Sequence, residues 1–213
     1  KLQILDENKE PVKLGEDVLE WTSGKEDKVI EGLTTGKTYY LHEKTAPEGY
    51  TVAQDIQFTI EADGTVKVIN ETGEKETVEK IVMNDAQTSV KIRKTDIVDE
   101  TVLEGAKLQI LDENKEPVKL GEVVLEWMSG KEDKVIEGLT TGKTYYLHEK
   151  TAPAGYTVAQ DIQFTIEADG TVKVISEAGE KETVEKIVMN DAQTSVKIRK
   201  TDIVDETVLE GAK

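Results

Sequence analysis

The chain has 213 residues, of which 37% are hydrophobic, 5% are aromatic and 33% are charged, and its formal net charge is −17 at pH 7. This acidic balance excludes the basic surface that nucleic acids and anionic membranes require, and no apolar run approaches the length of a membrane span. There is no cysteine, which excludes disulfides and thiolate metal sites. The chain starts at Lys1 without a methionine, so we expect it to be a segment of a longer protein.

Short alternating or aliphatic runs along the first part of the chain predict β-strands, and turn sequences rich in Gly, Asp and Asn separate them. These runs are KLQIL (1–5), VLEW (18–21), DKVIEGL (27–33), KTYYLHE (37–43), DIQFTIEA (55–62), TVKVI (65–69) and KIVMNDA (80–86). The ADG sequence at 62–64 predicts a hairpin, because its glycine can adopt positive φ. About seven strands and no sustained helical period predict an all-β sandwich or partly open barrel.

The chain repeats itself with a period of 106 residues, since KLQILDENKEPVKLGE begins at Lys1 and again at Lys107. The two copies differ at five positions: Asp17/Val123, Thr22/Met128, Glu48/Ala154, Asn70/Ser176 and Thr72/Ala178. A period of this size corresponds to a whole domain, and near-identical tandem domains are more typical of spacers than of distinct active sites.

The boundary between repeats is predicted after Gln87 and again after Gln193, because the sequence that follows each begins with a strand and an acidic loop. The chain then divides into a repeat that lacks its first strand, a complete repeat, and the first strand of a following repeat. These segments are 1–87, 88–193 and 194–213.

Strand alternation places three ionisable groups on the same faces as apolar residues. In VKIRK (90–94), Lys94 shares a face with Val90 and Ile92. A buried lysine usually loses its proton or acquires a partner. Two carboxyls occupy comparable positions, Glu43 in YYLHE and Asp85 in IVMND. The equivalents in the other copy are Glu149, Asp191 and Lys200.

The segments VKIRKTD (90–96), LHEKTAPEGY (41–50) and IVMNDA (81–86) resemble the signature segments of the B-type repeat domains of Gram-positive collagen-adhesin (Cna B-type) and pilin surface proteins. The resemblance covers the whole repeat and implies a prealbumin-like, Ig-like β-sandwich. It also implies an autocatalytic isopeptide bond between a first-strand lysine and a last-strand Asn or Asp, assisted by a glutamate. Matching motifs assign the lysine to Lys94 or Lys200 and the glutamate to Glu43 or Glu149.

Two acceptors are available in each copy, because VMND contains an asparagine followed by an aspartate. Strand parity favours Asp85 and Asp191, which share a face with the preceding Ile and Met. Asn84 and Asn190 are the alternative acceptors. Loss of water on bond formation would indicate the aspartates, and loss of ammonia the asparagines.

The resemblance implies a structural stalk or spacer in an extracellular, cell-wall-anchored surface protein. The predicted bond forms once, so the protein is not a turnover enzyme, and it needs no cofactor. The acidic loops DENKE (6–10) and DIVDE (96–100) lack the EF-hand pattern, so no metal site is predicted. The alternative function is a module that binds a host matrix protein or glycan and gains from multivalency.

The ends of the chain have complementary features. Residues 1–87 contain Glu43 and Asp85 but lack a first strand, whereas 194–213 contain that strand with Lys200. We therefore expect head-to-tail copies to associate by strand donation, or the strand to enter a neighbouring identical repeat in a longer parent chain. Closure within one chain is less favoured, because two domains in line hold these ends apart.

Overall fold

The structure, a computed structural model, describes residues 1–70, 72–204 and 206–211. All regular elements in these ranges are β-strands, which confirms the all-β prediction, and none of the described residues forms a helix able to cross a membrane. The strands before residue 88 are β1 (Leu2–Leu5), β2 (Lys13–Leu14), β3 (Asp17–Val18), β4 (Glu20–Trp21), β5 (Thr38–Glu43), β6 (Ile56–Ile60), β7 (Val66–Ile69) and β8 (Lys75–Val78).

The strands after residue 88 follow the same order, with additional members. They are β9 (Ser89–Asp96), β10 (Lys107–Leu111), β11 (Lys119–Leu120), β12 (Val123–Val124), β13 (Glu126–Met128), β14 (Lys134–Glu137), β15 (Thr144–Thr151), β16 (Ile162–Ile166), β17 (Val172–Ile175), β18 (Lys181–Thr183) and β19 (Ile187–Asp191).

One antiparallel six-stranded sheet forms in each repeat, in the order β4-β1-β5-β6-β7-β8 and again β13-β10-β15-β16-β17-β18. The predicted hairpin is confirmed, because β6 and β7 pair across a turn in which Gly64 has a φ of +86°. The glutamate that ends the YYLHE strand lies opposite a leucine of the first strand of this sheet in both copies, Glu43 opposite Leu2 and Glu149 opposite Leu108.

A second, three-stranded sheet completes the sandwich between residues 89 and 191. The strand β9 lies at its centre, antiparallel to β14 and parallel to β19. Its inward side chains, including Val90, Ile92 and Met189, pack in one core cluster with residues of the six-stranded sheet such as Leu108 and Phe164. These five side chains are at most 2% exposed, so the two sheets bury a shared apolar core.

The first repeat has no such second sheet among its described residues. Its segments 28–31 and 81–85 have the same sequences as β14 and β19, yet neither forms a strand. The reason is that β9 separates β14 from β19 in the complete repeat, so without a central strand neither segment has a hydrogen-bonding partner for its backbone. The strand predictions for 27–33 and 80–86 are therefore wrong for this copy.

The chain segment 194–200 also differs from prediction, because it forms no strand in the single chain. Val196 is 80% exposed and Ile198 is 87% exposed, whereas the same residues of the identical segment 88–94 are buried. A first strand needs a neighbouring sheet, and among the described residues segment 194–200 pairs with none.

The two repeats meet where the loop after β5 approaches the second sandwich. Thr88 donates from its backbone N to the carbonyl of Gly49 at 3.0 Å and from Oγ1 to the carbonyl of Leu139 at 2.6 Å. The N–H of Val52 donates to the carbonyl of Ala168 at 2.8 Å. The chain therefore passes from the first repeat into β9 through a hydrogen-bonded junction.

Candidate functional site

Three strands deliver the candidate site residues to one point in the interior of the complete repeat. Lys94 comes from β9, Glu149 from β15 and Asp191 from β19, and all three residues are at most 2% exposed. Val90 and Ile92 precede Lys94 on the same buried face, so the strand alternation predicted from the sequence is observed.

The Lys94 amine contacts both carboxyls. Its Nζ donates a hydrogen bond to Oδ1 of Asp191 and lies 3.2 Å from Oε1 of Glu149. The other oxygen of Glu149, Oε2, accepts a hydrogen bond of 2.7 Å from the backbone N–H of Ala159. Glu149 is thus held by a loop while its free oxygen faces the amine, and Asp191 presents its carboxyl to the same nitrogen.

The charge balance of this site favours a neutral arrangement. Burial raises the pKa of the Asp191 carboxyl, and the neighbouring Glu149 carboxyl raises it further, although the Lys94 ammonium opposes these effects. Among the described residues, two buried side-chain oxygens have no hydrogen-bond donor, Oε1 of Glu149 and Oδ2 of Asp191. A proton shared by these two carboxyls would satisfy an otherwise unpaired acceptor and leave one carboxylate to balance the lysine.

The alternative acceptor lies on the other face of β19. Asn190 is exposed, and its Oδ1 accepts a hydrogen bond from the hydroxyl of Thr95. The same alternation leaves Asn84 exposed in the first repeat. The structure therefore brings Asp191, and not Asn190, into contact with the lysine.

The corresponding site of the first repeat contains the carboxyls without the amine. Glu43 is 4% exposed, and its Oε2 accepts a hydrogen bond of 2.9 Å from the N–H of Ala53. Asp85 is half-buried, and burial followed by the neighbouring Glu43 raises its pKa. Lys200 is exposed on the C-terminal segment, and the single chain does not bring it to this pair.

The sequence alone does not reveal the backbone contact that positions the glutamate. The donor lies ten residues after the glutamate in both copies, Ala53 after Glu43 and Ala159 after Glu149. In the sequence, TVA follows the PEGY or PAGY turn at the same spacing in both copies. This spacing does not by itself show that the loop brings the alanine N–H back to the glutamate.

The two sheets of the complete repeat, with this Lys–Glu–Asp cluster buried between them, define a β-sandwich domain of the prealbumin type. The chain belongs to the SpaA prealbumin-like fold domain family, whose model matches residues 1–74 and 88–180. This confirms the family resemblance expected from the three sequence motifs. A comparison with curated protein sequences found no match.

Several solved structures of pilus proteins are similar to parts of the chain. A pilus-presented adhesin, Spy0125 (Cpa), is 36% identical over 45% of this chain and 20% of its own, with a TM-score of 0.37. A streptococcal ancillary pilin is 22% identical over 74% of this chain and 42% of its own, with a TM-score of 0.39. The shaft pilin spaA from Lactobacillus rhamnosus GG is 17% identical over 76% of this chain and 66% of its own, with a TM-score of 0.38. The chain thus spans between a fifth and two thirds of the length of these proteins.

Proposed function

We propose that the chain is part of the stalk of a Gram-positive cell-surface adhesin or pilus-like protein, and that an isopeptide bond between Lys94 and Asp191 locks its complete repeat. The observation that carries this proposal is the contact between the Lys94 amine and the Asp191 carboxyl in a site closed to solvent, with Glu149 beside both. Family membership and the near-identity of the two copies support an extracellular spacer role, with the array anchored to the cell wall.

The chemistry is a condensation that needs only these three side chains. A proton passes from the lysine to a carboxylate, so that a neutral amine faces a protonated Asp191 carboxyl. Lys94 Nζ then bonds to Cγ of Asp191, and the carboxyl C–O bond breaks. Glu149 takes the proton lost by the amine and delivers one to the departing hydroxyl. The products are one amide and one water molecule.

Burial and positioning lower the activation barrier of this reaction. The amine and the carboxyl are already in contact, and well-oriented groups gain effective molarity equivalent to roughly 7–11 kcal/mol of the barrier. The reaction consumes its own side chains, so each repeat reacts once. It is a maturation step of the fold and not enzymatic turnover, and the proposal involves no cofactor.

The alternative function, binding of a host matrix protein or glycan, is less well supported by the surface. Tyr40 and Tyr146 are the partly exposed aromatic residues that alternate with buried ones along β5 and β15, so they are the candidates for such binding. The Lys9 Nζ lies 3.3 Å from the ring centroid of Tyr40, and the Lys115 Nζ lies 3.2 Å from that of Tyr146. Each ring is therefore already covered by a cation of its own repeat. Exposure of the purified chain to an array of matrix proteins and glycans tests this alternative directly.

Intact mass under denaturing conditions tests the proposed bond. We expect the monomer to be lighter than its sequence by one water, and Lys94→Arg to restore the full mass. Lys91→Arg is the matched control, because Lys91 is exposed on the same strand and its variant should keep the deficit. A full-mass wild-type monomer would overturn the bond, and a deficit of ammonia would move the acceptor to Asn190.

A further inference from the structure

We propose that residues 129–133, between β13 and β14, form a strap that keeps solvent out of the Lys94 site, and that Asp133 is the positioning residue that holds this strap closed. Closure of the strap can be measured whether or not the isopeptide bond forms. The effect of the strap on bond formation rests on the function proposed above.

The reaction site is flanked by a strand on one side of β9 and by the strap on the other. On the first side, Met189 of β19 pairs with Lys94 in the parallel register. On the other side, β14 begins at Lys134, which pairs with Ile92, two residues before the reactive lysine. The ladder therefore ends short of Lys94 on this side, and the chain that precedes Lys134 there is the strap.

The strap and the reaction site border the same cavity, whose volume is about 290 Å³. The inner wall includes Lys94, Ile92 and Leu108, which are at most 2% exposed. The outer wall includes Trp127 and the strap, whose central residues 130–132 are exposed. Water that enters this cavity would adjoin the lysine side chain, so the position of the strap determines how dry the site is.

Asp133 fastens one end of the strap to both strands that carry the reacting groups. Its Oδ1 accepts a hydrogen bond from Nε of Arg93, and its Oδ2 lies 2.7 Å from Nζ of Lys186. Arg93 immediately precedes Lys94 on β9, and Lys186 immediately precedes β19. The hydrogen bond from Lys186, together with that from Arg93, lowers the pKa of the Asp133 carboxyl. At neutral pH the strap is therefore held by a carboxylate between two cations.

Ser129 fastens the other end of the strap. Its Oγ donates to the carbonyl of Leu103 at 2.7 Å and accepts from the N–H of Ala106 at 2.9 Å. Its backbone N donates to the carbonyl of Ala106 at 2.8 Å. Both ends of the strap are thus anchored, and loss of the Asp133 contacts would release the end beside β9 alone.

A closed strap favours the condensation because the reacting pair must be neutral. Water solvates an ammonium and a carboxylate better than it solvates an amine and a carboxylic acid. An open strap would therefore stabilise the charged, unreactive pair of Lys94 and Asp191. Asp133 acts through the strap and not on the reacting atoms.

Intact mass during cell-free synthesis of the 213-residue chain measures the rate of bond formation, with samples quenched in acidic denaturant at intervals. We expect Asp133→Ala to lose water about tenfold more slowly than the wild type, equivalent to about 1.4 kcal/mol on the barrier. Asp133→Glu keeps the charge and should restore most of the rate. Lys186→Ala removes one of the two contacts and should give a smaller effect in the same direction.

Glu167→Ala is the matched control for the loss of a paired carboxylate. Glu167 follows β16 and is also paired with two lysines, Lys173 at 3.8 Å and Lys181 at 3.5 Å. Its replacement leaves the strap unchanged, so the rate of water loss should stay as in the wild type.

Acrylamide quenching of Trp127 fluorescence reports on the strap itself, because this side chain borders the cavity. Each protein in this experiment carries Trp21→Phe, so that Trp127 is its single tryptophan. Asp133→Ala should raise the quenching constant. The same increase should occur when Glu149→Gln is also present, since that substitution should prevent the bond.

The two measurements distinguish failure of the strap from failure of the bond. If the wild type loses one water and Asp133→Ala does so at the same rate, the role of Asp133 is overturned and the isopeptide proposal stands. If the reaction slows while quenching is unchanged, opening of the strap is overturned as the cause. If no protein loses water, the isopeptide proposal is overturned, and increased quenching in Asp133→Ala still supports the strap as the solvent barrier.

Discussion

Substitution of Glu149 by glutamine should prevent the proposed bond while leaving Lys94 and Asp191 in place. The glutamine oxygen can still accept the hydrogen bond that Ala159 N–H donates to Glu149 at 2.7 Å, so the side chain should keep its position. The amide cannot take up the proton released by the amine, so the condensation should stop. The substitution therefore removes proton transfer with little change in packing.

The expected magnitude follows from the length of chain that the bond would close. Lys94 and Asp191 are 97 residues apart in sequence, and a cross-link over such a loop destabilises the unfolded state by about 4.7 kcal/mol in the chain-entropy estimate. A domain of this size changes its melting temperature by about 4–8 °C per kcal/mol, so the loss should be roughly 20 °C or more.

The assay combines intact mass with differential scanning calorimetry. Glu149→Gln should show the full sequence mass and a lower transition for the complete repeat. The matched control is Glu43→Gln, which makes the same change in the repeat that contains no lysine partner; its mass deficit and its upper transition should stay as in the wild type. If Glu149→Gln keeps the deficit, Glu149 is not the proton carrier. If it loses the deficit without losing thermal stability, the cross-link does not stabilise the fold.

Three further predictions concern the acceptor, the pH dependence and the junction between repeats. Asn190→Ala should keep a deficit of one water by intact mass, because this side chain faces away from the lysine. Burial and a neighbouring glutamate raise the pKa of Asp85 in the folded state. Protonation of Asp85 therefore stabilises the fold fully below pH 3.8, the ordinary pKa of the group, and this stabilisation is lost as the pH rises through the pKa of the folded state. Asp85→Asn should therefore raise the melting temperature of the first repeat at pH 7, with the gain vanishing in acid. Gly49→Ala should destabilise the chain more than Gly155→Ala in thermal unfolding, since both have positive φ but only at Gly49 would a Cβ lie 2.8 Å from the Gly138 carbonyl oxygen.

The sequence predicts the faces of the site strands because strand alternation is local. Lys94, Glu149 and Asp191 each end an apolar face, and the two-residue period of a strand is sufficient to orient them. Parity also predicts which of the two candidate acceptors contacts the amine, since Asn190 has the opposite phase to Asp191. The three residues are up to 97 positions apart, so the motif resemblance was needed to suggest that they meet.

Other features could not be predicted because they depend on distant partners. The same sequence is a strand at 187–191 and not at 81–85, which shows that the central strand β9, rather than local preference, decides its conformation. The strand β8 (Lys75–Val78) was missed because its residues are mostly polar and exposed, and its pairing with β7 depends on the preceding turn. The hydrogen bond from Ala159 to Glu149 depends on the path of a loop.

The parallel pairing of β9 with β19 has a mechanical consequence for a chain of such repeats. Because the strand that enters the complete repeat and the strand that leaves it run in the same direction, the path of a stretching force does not reverse inside the domain. With the proposed bond in place, tension would pass along β9 to Lys94, cross to Asp191 and leave through residue 194. The remaining strands of the sandwich would lie outside this path and would bear no tension. An array of bonded repeats would therefore resist extension under force, and its domains would not unfold one after another.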